Sequence, residues 1–296
     1  KENEKAVWEK ICIFYATQQK DPGVKDFFFK QLQLIGGEKS AEAMKVFLGD
    51  KENCNSAVAV LTSVGGKIAE NILAGSLRDK DLPCAAAVIN ALAQMKSKPA
   101  VSEYITWATA SDVNTKASSY NALAQSGDPL AYPVLLNAAK NCSYRWESSG
   151  ATTALLNYAR NVAQNGDTKT MDKICKLLIS KCNDELTFQN KTAALEIYVS
   201  FHGIEAFPQI LKAAVHSNSK YRNAAINMSA SIPGDEVVRK WITYFPKAIP
   251  EAKPEILRML GNSGNKEAEV LAESALGLVI LLAVGILTSS TTAQVS

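Results

Sequence analysis

The residue types able to do chemistry are few in this chain, and their spacing limits what they can do. There are two histidines, His202 and His216, fourteen positions apart. No HExxH, HxH or Cys/His cluster accompanies them, so they read as caps or surface residues and no metal site is expected. Six cysteines occur, at positions 12, 54, 84, 142, 175 and 182, with no CxxC pair. In a chain of 296 residues they suggest no disulfide framework and read as small buried hydrophobes. Gly36-Gly37 and Gly65-Gly66 lack the Lys-Ser/Thr ending of a phosphate loop, and no GxSxG or Ser/His/Asp pattern is present. No catalytic residue and no cofactor follow from these spacings, and the chain is expected not to be an enzyme.

Binding chemistry is better represented. Tyr144-Arg145-Trp146 joins two aromatics to an arginine, the residue types that dominate binding hot spots and sugar stacking. Tyr120, Lys191 and Arg222 are candidates to extend this patch along one concave face. Phe27-Phe28-Phe29 cannot all be buried equally on one helix, so at least one should lie at a contact surface or pack under a neighbouring repeat.

The elements that carry these residues recur. Helix ends followed by a Gly-containing turn stand at Gly36, Gly65, Gly127, Gly166, Gly203, Gly234 and Gly264, with Lys96 in the place of an eighth Gly. Successive markers are 29, 31, 31, 39, 37, 31 and 30 residues apart, the range of stacked helix pairs. Glycine at such a point enters the left-handed conformation that ends a helix at little cost. The apolar residues between markers follow the helical period, as in Ile204, Phe207, Ile210, Leu211, Ala214 and Val215. The second helix of each pair follows a polar turn, and the wider spacings predict longer helices over Trp146–Val162 and Leu186–Phe201. An all-α, HEAT-like superhelix of about eight helix pairs is therefore expected, spanning residues 1–275.

Tyr221-Arg222-Asn223-Ala224-Ala225 and Lys191-Thr192-Ala193-Ala194 resemble the basic-then-small pattern of HEAT second helices. Phe29–Leu48 and Tyr144–Thr152 further resemble the HEAT-repeat region of exported Bacteroidetes proteins. Those proteins also carry a concanavalin-like domain related to family 16 glycosidases and 3-keto-disaccharide hydrolases. The resemblance implies a periplasmic or cell-surface location. It also implies an alternative role, as accessory domain of a carbohydrate-processing enzyme whose catalytic domain is not in this chain.

The net charge of +3, with mixed and scattered signs, excludes a dedicated nucleic-acid surface. Residues 276–296 are uncharged, and Ala275–Leu287 carries no polar side chain. That stretch is short of the roughly 20 residues of a spanning helix. It reads as a capping helix or a membrane-associating tail. The function expected from sequence is a non-catalytic module whose concave face binds a protein or a carbohydrate.

Overall fold

The computed structural model of the chain describes residues 2–97, 100–271 and 273. Sixteen α-helices are followed by a further helical run over 266–271, and no strand occurs among the described residues, as the periodicity predicts. The chain divides into two compact units, Lys1–Asp167 and Thr168–Ser296. The first holds α1 (Glu2–Gln18), α2 (Pro22–Ile35), α3 (Glu38–Met44), α4 (Cys54–Val64) and α5 (Gly66–Ser76). It continues through α6 (Ala85–Gln94), α7 (Val101–Trp107), α8 (Val113–Ser126), α9 (Ala131–Asn141) and α10 (Ala151–Gln164). The second holds α11 (Thr168–Lys181), α12 (Phe188–His202), α13 (Phe207–Ala214), α14 (Ser219–Met228), α15 (Glu236–Tyr244) and α16 (Lys253–Gly261).

Within each unit the second helices of successive pairs form a continuous layer. In the first unit α2 packs on α4, α4 on α6, α6 on α8 and α8 on α10. In the second, α12 packs on α14 and α14 on α16. Leu32, Leu61, Ile89, Leu92, Leu123 and Leu155 are wholly buried in the first of these layers. Each such side chain contributes roughly 1.5–3 kcal/mol of transfer free energy. Trp241 anchors the second unit: it is fully buried, lies edge-on to Phe207 at 5.2 Å, and donates its indole N–H to Ser229 Oγ at 2.8 Å.

Local signals set the helix ends. Asp21, Asp112 and Asn218 accept the amides of Val24, Thr115 and Tyr221, capping the second helices of their pairs. Most of the glycine markers have positive φ, and so does Lys96, at 55°. The turn imposes its geometry on the one marker that lost its glycine. Gly36 departs from the expectation: its φ is −60°. Its constraint is close approach, because a Cβ there would sit 2.4 Å from the Leu32 carbonyl oxygen.

Two sequence expectations about this fold are corrected. The helix expected from Trp146 begins at Ala151 instead. The Glu147 carboxylate accepts from Ser149 N, Ser149 Oγ and Ala151 N, and so closes the preceding turn as a cap. The cysteines are not all inert hydrophobes, since Cys54 and Cys84 form a disulfide. Their separation of 30 residues is one repeat period, so stacking sets the two positions above each other, with Cα atoms 5.9 Å apart. Cys12, Cys175 and Cys182 are buried and lie outside the disulfide. Phe29 is buried edge-on to Phe47, Phe28 stacks on Tyr15, and Phe27 is exposed, as three consecutive aromatics on one helix require.

The uncharged tail 276–296 lies outside the described residues. Among the described residues no helix is long and apolar enough to cross a membrane.

Candidate functional site

A cleft of about 710 Å³ lies where the α5–α6 turn meets the α7–α8 turn, in the first unit. Its apolar surface comes from Leu77, Leu82, Pro83, Ala85 and Trp107. Leu77 and Leu82 are buried, while Trp107 is half-buried. The Trp107 indole is fixed in place, because its Nε1–H donates to the Leu77 carbonyl at 2.8 Å. That carbonyl belongs to the C-cap residue of α5 and has no helical partner of its own. One hydrogen bond thus satisfies a helix end and orients an aromatic wall.

The polar surface carries charges of both signs, Arg78 and Lys80 facing Glu103 and Asp112. Two helix N-termini open onto the cleft, those of α6 at Ala85 and of α8 at Ser111 and Asp112. The first-turn amides of α6 receive no side-chain cap, and the exposed N–H groups and dipole of such a terminus favour negative charge. Arg78 and Lys80 add two cations. Arg78 is only loosely held, with Nε 3.9 Å from Glu103 Oε1 and a side chain 81% exposed. Of the two carboxylates, Asp112 is committed to Thr115, accepting from its amide at 2.7 Å and its hydroxyl at 2.8 Å. Those bonds hold its carboxyl below the usual range. Glu103 accepts from Ser102 Oγ at 2.6 Å. Hydroxyls of Thr106, Thr109 and Ser111 complete the rim.

Cys84 of the Cys54–Cys84 disulfide stands in the chain between two residues of this wall, Pro83 and Ala85. Cys84 is the N-cap residue of α6, and Cys54 is the first residue of α4. The bond therefore ties the helix terminus that borders the cleft to the neighbouring repeat.

The residues singled out by sequence are placed elsewhere. Tyr144, Arg145 and Trp146 lie in the loop between α9 and α10, not at the head of a helix. Ser143, Tyr144 and Gly150 have positive φ there. Trp146 is 74% exposed, Tyr144 is half-buried and Arg145 is exposed. Tyr120 is buried on α8, within electrostatic reach of Glu147 and Cys142. Burial pushes its hydroxyl up from the ordinary tyrosine range.

Lys191 and Arg222 belong to the second unit and are both buried. Arg222 donates to the carbonyls of His216 and Ser217, closing the turn after α13. Lys191 donates to Asn183 Oδ1 at 2.6 Å and lies over the rings of Tyr221 and Phe188. Desolvation lowers its ammonium from the ordinary lysine range. These two cations bind repeat turns, Arg222 through Nη1 and Lys191 through Nζ.

The histidines also act locally. His216 Nδ1 accepts the Asn218 amide, and burial, with Lys191 and Arg222 nearby, pushes its ring down. His202 Nε2 lies 2.6 Å from Asp172 Oδ1, and Lys176 lies 2.9 Å from the other oxygen. Burial raises the Asp172 carboxyl, but these two contacts outweigh it and hold the group below the usual range. The network joins α11 to α12. No group of three or more metal-ligating side chains occurs among the described residues.

No family model matches the chain, and no curated protein matches it. A solved structure of human deoxyhypusine hydroxylase in complex with glycerol is similar. Identity is 15% over 80% of this chain and 89% of that one, with a TM-score of 0.37. The fold class is an all-α array of HEAT-like helix pairs, eight of them among the described residues.

The comparison corrects the expectation of a non-enzymatic module, whether a scaffold for protein or glycan or an accessory to a glycoside-cleaving domain. The similar structure is that of an enzyme. That expectation was drawn from the lack of a catalytic motif. In a repeat fold, side chains meet across neighbouring helices, so a linear motif search does not sort enzymes from non-enzymes. The hydroxylase reaction and the glycerol are that protein's own.

Proposed function

We propose that the chain binds a small organic anion with an apolar, ring-sized body in the cleft beside Trp107. The observation that carries this reading is the fixed indole. A half-buried tryptophan, pinned by the Leu77 carbonyl, lines a cleft of about 710 Å³, within the roughly 300–1,000 Å³ of small-molecule sites. The uncapped N-terminus of α6 and the cations Arg78 and Lys80 border it, while Asp112 caps the α8 terminus from within. The apolar body of the ligand rests on Trp107 and Leu82, and its anionic group meets Arg78, Lys80 and the α6 amides.

Equilibrium dialysis with 1-naphthoate and with 1-naphthylmethylammonium tests the reading, since the two share a ring body and differ in charge. The carboxylate binds more tightly, and Arg78→Ala/Lys80→Ala weakens it about tenfold, equivalent to ~1.4 kcal/mol. Equal binding of the two probes, or unchanged binding by Trp107→Leu, overturns the proposal.

The disulfide supports an oxidising compartment, because cytosolic thiols are ordinarily kept reduced. This agrees with the resemblance to exported proteins. Thiol titration of the denatured, unreduced protein then finds four free cysteines, at positions 12, 142, 175 and 182; six would remove this support.

A further inference from the structure

The opposite ends of α6 and α8 form a second cleft, of about 460 Å³, together with the C-terminal end of α10. Its most informative group is Tyr104. The side chain is 1% exposed and lines this cleft, yet its hydroxyl has no hydrogen-bond partner among the described residues. A buried hydroxyl left unpaired costs about 1–3 kcal/mol.

Three carboxamides line the same cleft: Gln125, Asn161 and Asn165. Asn161 spends its Nδ2 on the carbonyls of Ala124 and Gln125, at 3.1 and 2.7 Å, which leaves its Oδ1 as an acceptor. Gly127 allows the enclosure, because a Cβ there would stand 3.3 Å from the Nδ2 atoms of both Asn161 and Asn165.

Charge decides the ligand class. Three helix C-termini converge here, and Ser97 holds Glu70 close by at 2.6 Å. Both features disfavour an anion. Lys96 also lines the cleft, and its positive charge disfavours a cation. What remains is an uncharged molecule that both donates and accepts hydrogen bonds, matched to carboxamides and a phenol.

We infer that this cleft is a second ligand site, for a small uncharged molecule presenting an amide-type edge, with Tyr104 Oη donating to its carbonyl. The site is separate from the anion cleft, since it uses the other ends of the same helices. Uracil is a suitable probe, because its imide edge alternates donors and acceptors. The test is calorimetric titration of uracil into wild type, Tyr104→Phe and Asn165→Ala, with thermal melts of all three. Uracil binds wild type saturably, and each variant weakens it about tenfold. Tyr104→Phe melts no lower than wild type, because the lost hydroxyl had no partner. Absence of saturable binding to wild type, or equal binding by the well-folded variants, overturns the inference.

Discussion

Breaking the Cys54–Cys84 bond has a consequence whose size follows from the chain. The bond closes a loop of about one repeat, the two cysteines being 30 residues apart. The chain-entropy relation for a loop of this length gives about 3.7 kcal/mol at 25 °C, by which the bond destabilises the unfolded chain. For a unit the size of Lys1–Asp167, 1 kcal/mol moves the melting midpoint by roughly 2–4 °C, so loss of the bond lowers it by roughly 7–15 °C. The assay is differential scanning calorimetry of the protein with and without a phosphine reductant, repeated on Cys54→Ala/Cys84→Ala. The reductant should lower the first unit's transition in wild type and leave the double variant unmoved. A wild-type midpoint that shifts by less than about 2 °C after complete reduction would refute the reasoning.

Three further outcomes follow from other positions. Gly36→Ala forces a Cβ against the Leu32 carbonyl at 2.4 Å and lowers stability by about 1–3 kcal/mol. Gly49→Ala, with nothing within 4 Å, is the near-neutral control, and urea unfolding of both variants checks the contrast. Lys96→Gly relieves a left-handed lysine and stabilises by about 0.5–1 kcal/mol after glycine's own entropy is counted, readable as a higher urea midpoint. Asp172 is depressed when folded. Its contribution is therefore full above the unfolded aspartate value of about 3.9 and is lost as pH falls through the lower folded value. Melts of Asp172→Asn from pH 7 to pH 2 should start lower than wild type and lose less on the acid side; parallel curves would count against the Lys176–Asp172–His202 network.

The repeat architecture was legible because it is written locally. Each helix end carries its own stop signal, and the spacing of those signals is the repeat. Lys96 shows the strength of the pattern: its position in the register, not its side chain, foretold the left-handed turn. Gly36 shows the limit, since a close backbone approach leaves the same letter in the sequence as a positive φ.

The long helix from Trp146 failed because Glu147 looks like a helix former, and its capping bonds exist only in three dimensions. The disulfide was hidden for a related reason: cysteines one period apart pair only when the stacking register is known. Lys191 and Arg222 stood out by a basic-then-small sequence pattern, and in the structure both are buried and donate within repeat turns. Trp107 carried no motif. Its hydrogen bond reaches Leu77, 30 residues earlier, so only the stack of repeats reveals the cleft.

An anion-selective cleft walled by Trp107 makes one direct spectroscopic demand. The ¹H–¹⁵N resonance of its indole N–H, assigned by loss in Trp107→Phe, reports on that cleft directly among the four tryptophans of the chain. Titration with 1-naphthoate should shift this resonance saturably, while the naphthyl ammonium at equal concentration leaves it in place. An unmoved Trp107 signal, or one that responds equally to both probes, would contradict the account.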